Sequence, residues 1–95
     1  MDKIDAELLF TSKMGYTKRV KACLDKGANA NIKNQEGVTP LMWAALDYNI
    51  DNVKLLLDAG ADINAMDCDG WTAAMYAMGH DTNTIVDLIR SHGTQ

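Results

Sequence analysis

The sequence has few of the features that mark several common classes of protein. Two cysteines in 95 residues are too few for a disulfide scaffold, and Cys23 falls in an apolar helical pattern where a thiol packs as a small hydrophobic group. No apolar run approaches the roughly 20 residues that span a bilayer. The first residues also lack the basic head and apolar core of a Sec-type signal peptide. We therefore expect a soluble, cytoplasmic chain with reduced thiols and no membrane contact.

Basic residues are in the minority, since nine Lys and Arg oppose 13 Asp and Glu to give a net charge of -4. Nucleic-acid binding needs a basic face that releases counterions from phosphates, so we expect no nucleic-acid partner. The charge is also unevenly divided. Residues 1–33 hold seven basic and four acidic side chains, a balance of +3, whereas residues 34–95 hold two and nine, a balance of -7. The folded chain should therefore be an electrostatic dipole.

The sequence does contain an internal period of 33 residues. Glycines, valines and aromatic residues recur at that spacing, as in Gly27/Gly60/Gly93, Val20/Val53/Val86 and Phe10/Trp43/Tyr76. Fixed periods of this length are typical of solenoids, in which a small helical unit buries its apolar face only by stacking on its neighbours. The length of the chain fits one such domain of three units.

The repeated segments resemble the ankyrin-repeat family. The middle copy matches best, with GVTPLMWAA over residues 37–45 as the start of a first helix and VKLLLDAGADIN over 53–64 as the second helix and its exit. The third copy keeps Asp67 and Gly70 but has Ala73-Ala74 where the family has Pro-Leu. The resemblance implies an all-α solenoid of three stacked helix-turn-helix units with short hairpin fingers, a single domain over 1–95 with repeats at 1–33, 34–66 and 67–95.

Local physical chemistry agrees with these units. Thr39 is placed to cap a helix whose first turn holds Pro40, where the missing N–H is not needed. Asp51 falls in the first turn of the next helix, where the helix dipole favours an anion, and Gly60 supplies the left-handed residue that ends it. Arg90 stands where the earlier copies have leucine, and the first copy has no finger. We therefore expect both outer repeats to act as caps of a complete small protein.

The acidic and nucleophilic residues of the third copy do not form a recognisable catalytic or metal site. The twelfth position of a calcium loop counted from Asp67 is Met78, which cannot supply the bidentate carboxylate that such loops need. Cys68 and His80 have no Cys or His nearby in sequence to complete a tetrahedral zinc site. We expect no catalytic residue, no metal and no cofactor, and the chain is not predicted to be an enzyme.

The resemblance further implies binding of another protein, as in an adaptor, through a concave surface of finger tips and first-helix inner faces. Trp71 is the expected anchor, because tryptophan is enriched in binding hot spots. Acidic side chains around it predict a partner with a basic rim around an apolar anchor. Carried over position by position, the partner-binding residues are Lys33, Gln35, Glu36, Val38, Leu46, Asp47, Met66, Cys68, Asp69, Trp71 and His80.

Other interpretations of the same residues are open at this stage. Trp71 is alternatively folded back on Met66 or the neighbouring finger. Phe10, Trp43 and Tyr76 are expected to form an aromatic ladder that packs the stack. The alternative function is self-association as a homodimer or larger homo-oligomer, because a three-repeat array exposes much apolar surface and its oppositely charged segments favour head-to-tail pairing.

Overall fold

The computed structural model describes residues 1–78 and 82–93 of the chain. Six helices lie within these residues, and the segments between them are turns and extended loops. The helices are α1 (Lys3–Met14), α2 (Thr17–Asp25), α3 (Pro40–Leu46), α4 (Ile50–Asp58), α5 (Ala73–Tyr76) and α6 (Thr82–Gly93).

The six helices form two rows. Along one row α1, α3 and α5 contact each other in order, and along the other row α2, α4 and α6 do the same. Each helix of the first row also packs against the helix that follows it in sequence. This arrangement confirms the expected all-α solenoid of stacked helix-turn-helix units.

The starts of the middle helices are fixed by side chains. Thr39 Oγ1 accepts the N–H of Met42 at 3.3 Å, as its position before Pro40 predicts. In return, the Thr39 N–H donates to the thioether Sδ of Met42 at 3.4 Å. Asn49 Oδ1 accepts the N–H of Asn52 at 3.1 Å and caps α4 in the same way. Such N-caps contribute about 1 kcal/mol each.

The core runs along the whole stack between the two rows. Its members include several side chains that are at most 1% exposed, among them Leu8, Val20, Leu41, Val53, Leu56 and Ile85. Burying each of these side chains contributes about 1.5–3 kcal/mol. The periodic valines Val20 and Val53 are fully buried, which is why the 33-residue period is visible in the sequence.

Asparagine and aspartate side chains join the loops that follow the second helices. Asn31 Oδ1 accepts the N–H of Asp62 at 2.6 Å, and Asn31 Nδ2 donates to the carbonyl of Gly60 at 3.2 Å. Asn29 is the equivalent of Asp62 in the first repeat, and its N–H donates to Asp5 Oδ1 at 2.8 Å. Asp5 on α1 therefore accepts in the first repeat the hydrogen bond that Asn31 accepts in the second.

The aromatic residues do not form the expected ladder. Phe10 packs edge-on against Tyr16 with ring centroids 6.3 Å apart, and Tyr76 packs against Trp71 at 5.7 Å. Trp43 lies instead beneath the Lys13 ammonium, 5.3 Å from the ring centroid. Helix axes in packed proteins are about 8–10 Å apart, whereas aromatic pairs need centroids within roughly 4.5–7 Å. Each ring therefore pairs within its own repeat or with a cation.

The last helix ends in exposed polar residues, as its sequence predicts. Arg90, Ser91 and His92 are all exposed on α6. His92 Nε2 lies 3.0 Å from Asp58 Oδ1 on α4, and this hydrogen bond is the main reason that the pKa of His92 is raised. The pair ties the end of α6 to the end of the helix before it in the stack.

Both cysteines are free thiols, with Cys23 buried and Cys68 exposed. Burial is the first cause that raises the pKa of the Cys23 thiol, followed by its hydrogen bond to Glu7. The Cys23 Sγ donates to Glu7 Oε2 at 3.4 Å. Cys23 is therefore a neutral packing residue that contacts α1 from α2, as the sequence predicts.

The first prediction concerns Gly37, whose backbone has φ +78°. A Cβ at Gly37 would lie 3.0 Å from both the Cα of Asp67 and the backbone N of Cys68. Gly70, one period later, has φ +82° but open space around it. We expect Gly70→Ala to lower the free energy of unfolding by about 1–2 kcal/mol from left-handed strain alone. Gly37→Ala should lose about 1–3 kcal/mol more, because backbone atoms must move apart.

Urea denaturation of the two alanine variants measures this difference directly. Equal losses in the two variants would contradict the close approach of the loops around residues 37 and 67.

The second prediction concerns Asn52, which is fully buried. Among the described residues, neither Nδ2 nor Oδ1 of its amide has a hydrogen-bond partner. Ile85 occupies the equivalent position one period later and is equally buried. Because an unpaired buried amide is unfavourable, Asn52→Leu should raise the free energy of unfolding by about 1–3 kcal/mol.

Ile85→Asn is the matched reverse change and should destabilise the fold in the same urea assay. If Asn52→Leu instead lowers stability, the amide is hydrogen-bonded, for example through a buried water.

Candidate functional site

Two hairpin fingers, formed by residues 34–38 and 67–71, project between the helix pairs. In the first, Asn34 Oδ1 accepts the N–H groups of Glu36 and Val38, each at 2.9 Å. In the second, Asp67 Oδ1 accepts the equivalent groups of Asp69 and Trp71 at 2.8 and 2.9 Å. Asn and Asp favour such turns because their short side chains bond to the backbone two residues onward. The turn chemistry thus sets the shape of both fingers.

The fingers lie side by side and are bonded to each other. The N–H of Cys68 donates to the carbonyl of Glu36 at 2.9 Å. The Lys33 ammonium donates to the carbonyl of Met66 at 3.2 Å. Gly37 permits this approach, since any side chain there would meet the backbone of the second finger. The two fingers therefore present one continuous strip of surface.

Most of the residues predicted to bind a partner are exposed on the described surface. Leu46, Met66 and Trp71 are 41, 55 and 46% exposed, respectively. His80 lies outside the described residues. The other exposed members of the set are Lys33, Gln35, Glu36, Asp47, Cys68 and Asp69.

Val38 does not belong to this exposed set. Its side chain is only 7% exposed and is part of the core cluster. The second finger packs against the first at Glu36 and Gly37, next to Val38 in the chain. The assignment of Val38 as a contact residue is therefore corrected, and its role is to support the first finger from inside.

Trp71 packs against Tyr76. The two rings are tilted by 56° with centroids 5.7 Å apart. Nearly half of the Trp71 side chain remains exposed in this position. An aromatic ring that is held from one side and open on the other keeps its orientation when a partner covers it, which lowers the entropy lost on binding.

The carboxylate of Asp67 is turned into the molecule. Its Oδ2 accepts the hydroxyl of Tyr76 while its Oδ1 accepts two backbone N–H groups. The hydrogen bond from Tyr76 is the largest cause that lowers the pKa of Asp67. Burial, followed by the same hydrogen bond, raises the pKa of Tyr76 to about 12. Asp67 is thus a structural anion that holds the second finger on α5.

Acidic side chains other than Asp67 carry the exposed negative charge around the fingers. Glu36 and Asp69 are exposed on the two fingers, and Asp47 is exposed after α3. The Lys13 ammonium lies over Trp43 on the neighbouring helix, a contact that contributes about 0.5–1 kcal/mol at an exposed site. The surface is therefore acidic at the fingers and carries a basic group over the first helices.

Helix α1, in the first row of helices, exposes two large apolar side chains. Phe10 and Met14 on α1 are 53 and 47% exposed. Phe10 belongs to the periodic aromatic series, so periodicity alone suggested a buried role. In the structure the ring is more than half exposed and packs against Tyr16.

The described residues offer exposed apolar and charged side chains for surface contacts. Over residues 1–78 and 82–93, no three His, Cys, Asp or Glu side chains are grouped as a metal site requires. In the same part of the chain, no helix is long and apolar enough to cross a membrane.

Stacked helix pairs with fingers bonded edge to edge define a helical-repeat solenoid. The family model for ankyrin repeats in three copies matches residues 8–95, and the chain belongs to the ankyrin-repeat family. Among curated proteins, none matches the sequence significantly. Ankyrin repeats generally mediate protein–protein interactions, and proteins of the family are typically non-enzymatic.

The third prediction tests how the second finger is held. Replacing Tyr76 by Phe removes the main cause of the lowered pKa of Asp67, so this pKa should rise toward its ordinary value of 3.8. A carboxyl with a depressed folded-state pKa contributes stability above its unfolded pKa and loses it as pH falls through the folded one. The Tyr76→Phe variant should therefore lose less stability than wild type on acidification below about pH 4.

NMR titration of the Asp67 side-chain carbonyl measures the pKa in each protein. Tyr16→Phe removes a hydroxyl from an exposed ring in the first repeat and serves as the control. An unchanged Asp67 pKa in Tyr76→Phe would rule out the tyrosine as its main partner.

Proposed function

We propose that this chain is a non-catalytic interaction module that binds a partner protein through the surface formed by its fingers and the inner faces of the first helices. The observation that carries the proposal is the exposure of Leu46, Met66 and Trp71 together with the acidic side chains of Glu36, Asp47 and Asp69. Exposed apolar groups ringed by polar residues mark interaction sites. The proposed contact residues are Lys33, Gln35, Glu36, Leu46, Asp47, Met66, Cys68, Asp69, Trp71 and His80.

The chemistry of the surface favours a particular kind of partner. Glu36, Asp47 and Asp69 are exposed beside the apolar groups, so a basic rim on the partner complements them. The ring of Trp71 is the largest exposed side chain among the contact residues and is supported by Tyr76. A pocket on the partner that accepts an indole would therefore contribute most of the binding energy.

The state of the cysteines supports action in the cytoplasm. Cys68 is an exposed free thiol on the second finger, and Cys23 is a buried one. Reducing compartments keep such thiols free. The proposed role is that of an adaptor or of a blocking subunit that occupies another protein's surface.

A second candidate function is self-association. The observation that favours it is the division of charge into a basic first repeat and acidic later ones. Copies of such a dipole attract each other end to end at low ionic strength.

The fourth prediction tests the proposed binding surface. A partner is first captured from an extract of the native source by the immobilised chain. The affinity of the captured partner for wild type and for each variant is then measured. Trp71→Ala should weaken binding by about 2 kcal/mol or more, which is roughly 30-fold in affinity. Met66→Ala should weaken it less, because an unbranched side chain adapts to what surrounds it. Both variants should keep the circular dichroism spectrum of wild type, since both side chains are exposed.

Lys54→Ala changes an exposed residue on α4, in the second row of helices, and should leave the affinity unchanged. Equal affinity of wild type, Trp71→Ala and Met66→Ala for the captured protein would exclude the proposed surface.

A further inference from the structure

The third repeat exposes apolar side chains at positions that are buried in the second repeat. Trp71, Met75 and Met78 are 46, 42 and 68% exposed. Their equivalents 33 residues earlier are covered where α5 packs on α3: Val38, Met42 and Ala45 are 7, 1 and 0% exposed. The three exposed side chains, here named the C-terminal face, therefore lie on the side of the third repeat that would receive a stacked neighbour.

The first repeat exposes the opposite side of the stack. Arg19 is exposed on α2, although its equivalents Asn52 and Ile85 are both fully buried. Tyr16 is 43% exposed, whereas its equivalent Asn49 lies next to Gly15 of the preceding repeat.

Phe10, Tyr16 and Arg19, here named the N-terminal face, form one cluster. The Arg19 guanidinium lies 5.5 Å from the centroid of the Tyr16 ring. The centroid of the Phe10 ring lies 6.3 Å from the Tyr16 centroid. Beside them is an open cleft of about 410 Å³ lined by Tyr16, Thr17, Lys18 and Arg19.

The two faces complement each other in chemistry. The C-terminal face projects flexible methionine side chains, and the N-terminal face offers a cleft with aromatic and cationic walls. Methionine sulfur packs favourably at aromatic edges, and a guanidinium stacks favourably on tryptophan. The apolar residues of the C-terminal face lie on the second finger and on or just after α5, whereas α6 exposes the polar Arg90.

Charge favours the same pairing over the alternatives. The first repeat has a balance of +3, and residues 67–95 contain four Asp and one Arg, a balance of -3. Two C-terminal faces would bring like charges together, and so would two N-terminal faces. A C-terminal face against an N-terminal face brings opposite charges together.

We propose that the C-terminal face of one copy docks on the N-terminal face of a second copy, so that the array continues from molecule to molecule. The contact joins different surfaces, so it does not close on itself, and a dimer retains one free face at each end. The pairing rests on self-association, the second candidate function above. It shares Trp71 with the proposed partner-binding surface, so the variants below leave Trp71 unchanged.

Sedimentation velocity on single-end variants tests the pairing. Met78→Glu places a negative charge in the C-terminal face, and Arg19→Glu reverses the charge of the N-terminal face. Each variant alone should have an apparent dissociation constant at least tenfold above that of wild type, which is about 1.4 kcal/mol. An equimolar mixture of the two should recover a dimer with near wild-type affinity, because each supplies the face that the other has lost.

Wild-type association should also weaken between about 0.05 and 0.5 M salt, as screening of the opposite charges requires. Two control variants should associate like wild type. Lys54→Glu makes the same kind of charge reversal on α4, and Met66→Glu makes the same methionine change between the end faces. Circular dichroism of all four variants establishes that each is folded.

Several results would overturn the proposal. Wild type that stays monomeric up to about 1 mM, a thousandfold above a typical micromolar contact, would show that the faces do not pair. Dimers of Arg19→Glu alone would indicate contact between two C-terminal faces. Loss of association in Met66→Glu would assign it to the concave surface, and failure of the mixture to dimerise would exclude the head-to-tail arrangement.

Discussion

The structure depends on one constraint, which is that a helix pair buries its apolar side only against another helix pair. Fully buried side chains such as Val20, Val53 and Leu56 lie where helices of the same pair or of neighbouring pairs meet. Each repeat alone would leave much of this area in water, so stability accumulates by stacking. The fingers follow from the same constraint, because the stacking distance brings them close enough to bond to each other.

Much of the fold could be predicted from the sequence because it is determined by local sequence features. The period, the Thr39 cap and the polar end of α6 each depend on residues close together in the chain or at a fixed offset. The third repeat shows the limit of this reading. It lacks the Pro-Leu start, and α5 is a single turn of four residues, a length that its sequence does not reveal.

The candidate site was less readable because exposure depends on neighbours that a period does not describe. Val38 and Trp71 occupy the same position in their fingers, yet one is buried and the other exposed. Periodicity treats the two as equivalent, and only the presence of a packed finger on one side separates them. The inward carboxylate of Asp67 and the cation over Trp43 were missed for a similar reason, since both depend on side-chain directions between elements.

The thioether of Met42, which accepts the N–H of Thr39, has a chemical consequence for the whole molecule. A sulfur of this kind gains no proton at ordinary acidity, so the helix start that it helps to hold is indifferent to pH. Its sensitivity is to oxidants, which convert methionine to a bulkier polar sulfoxide. Met42 is shielded within the stack, whereas Met75, which makes the same contact to Thr72, is reachable from solvent. Of the two methionines that hold a helix start in this way, Met75 would therefore be oxidised before Met42.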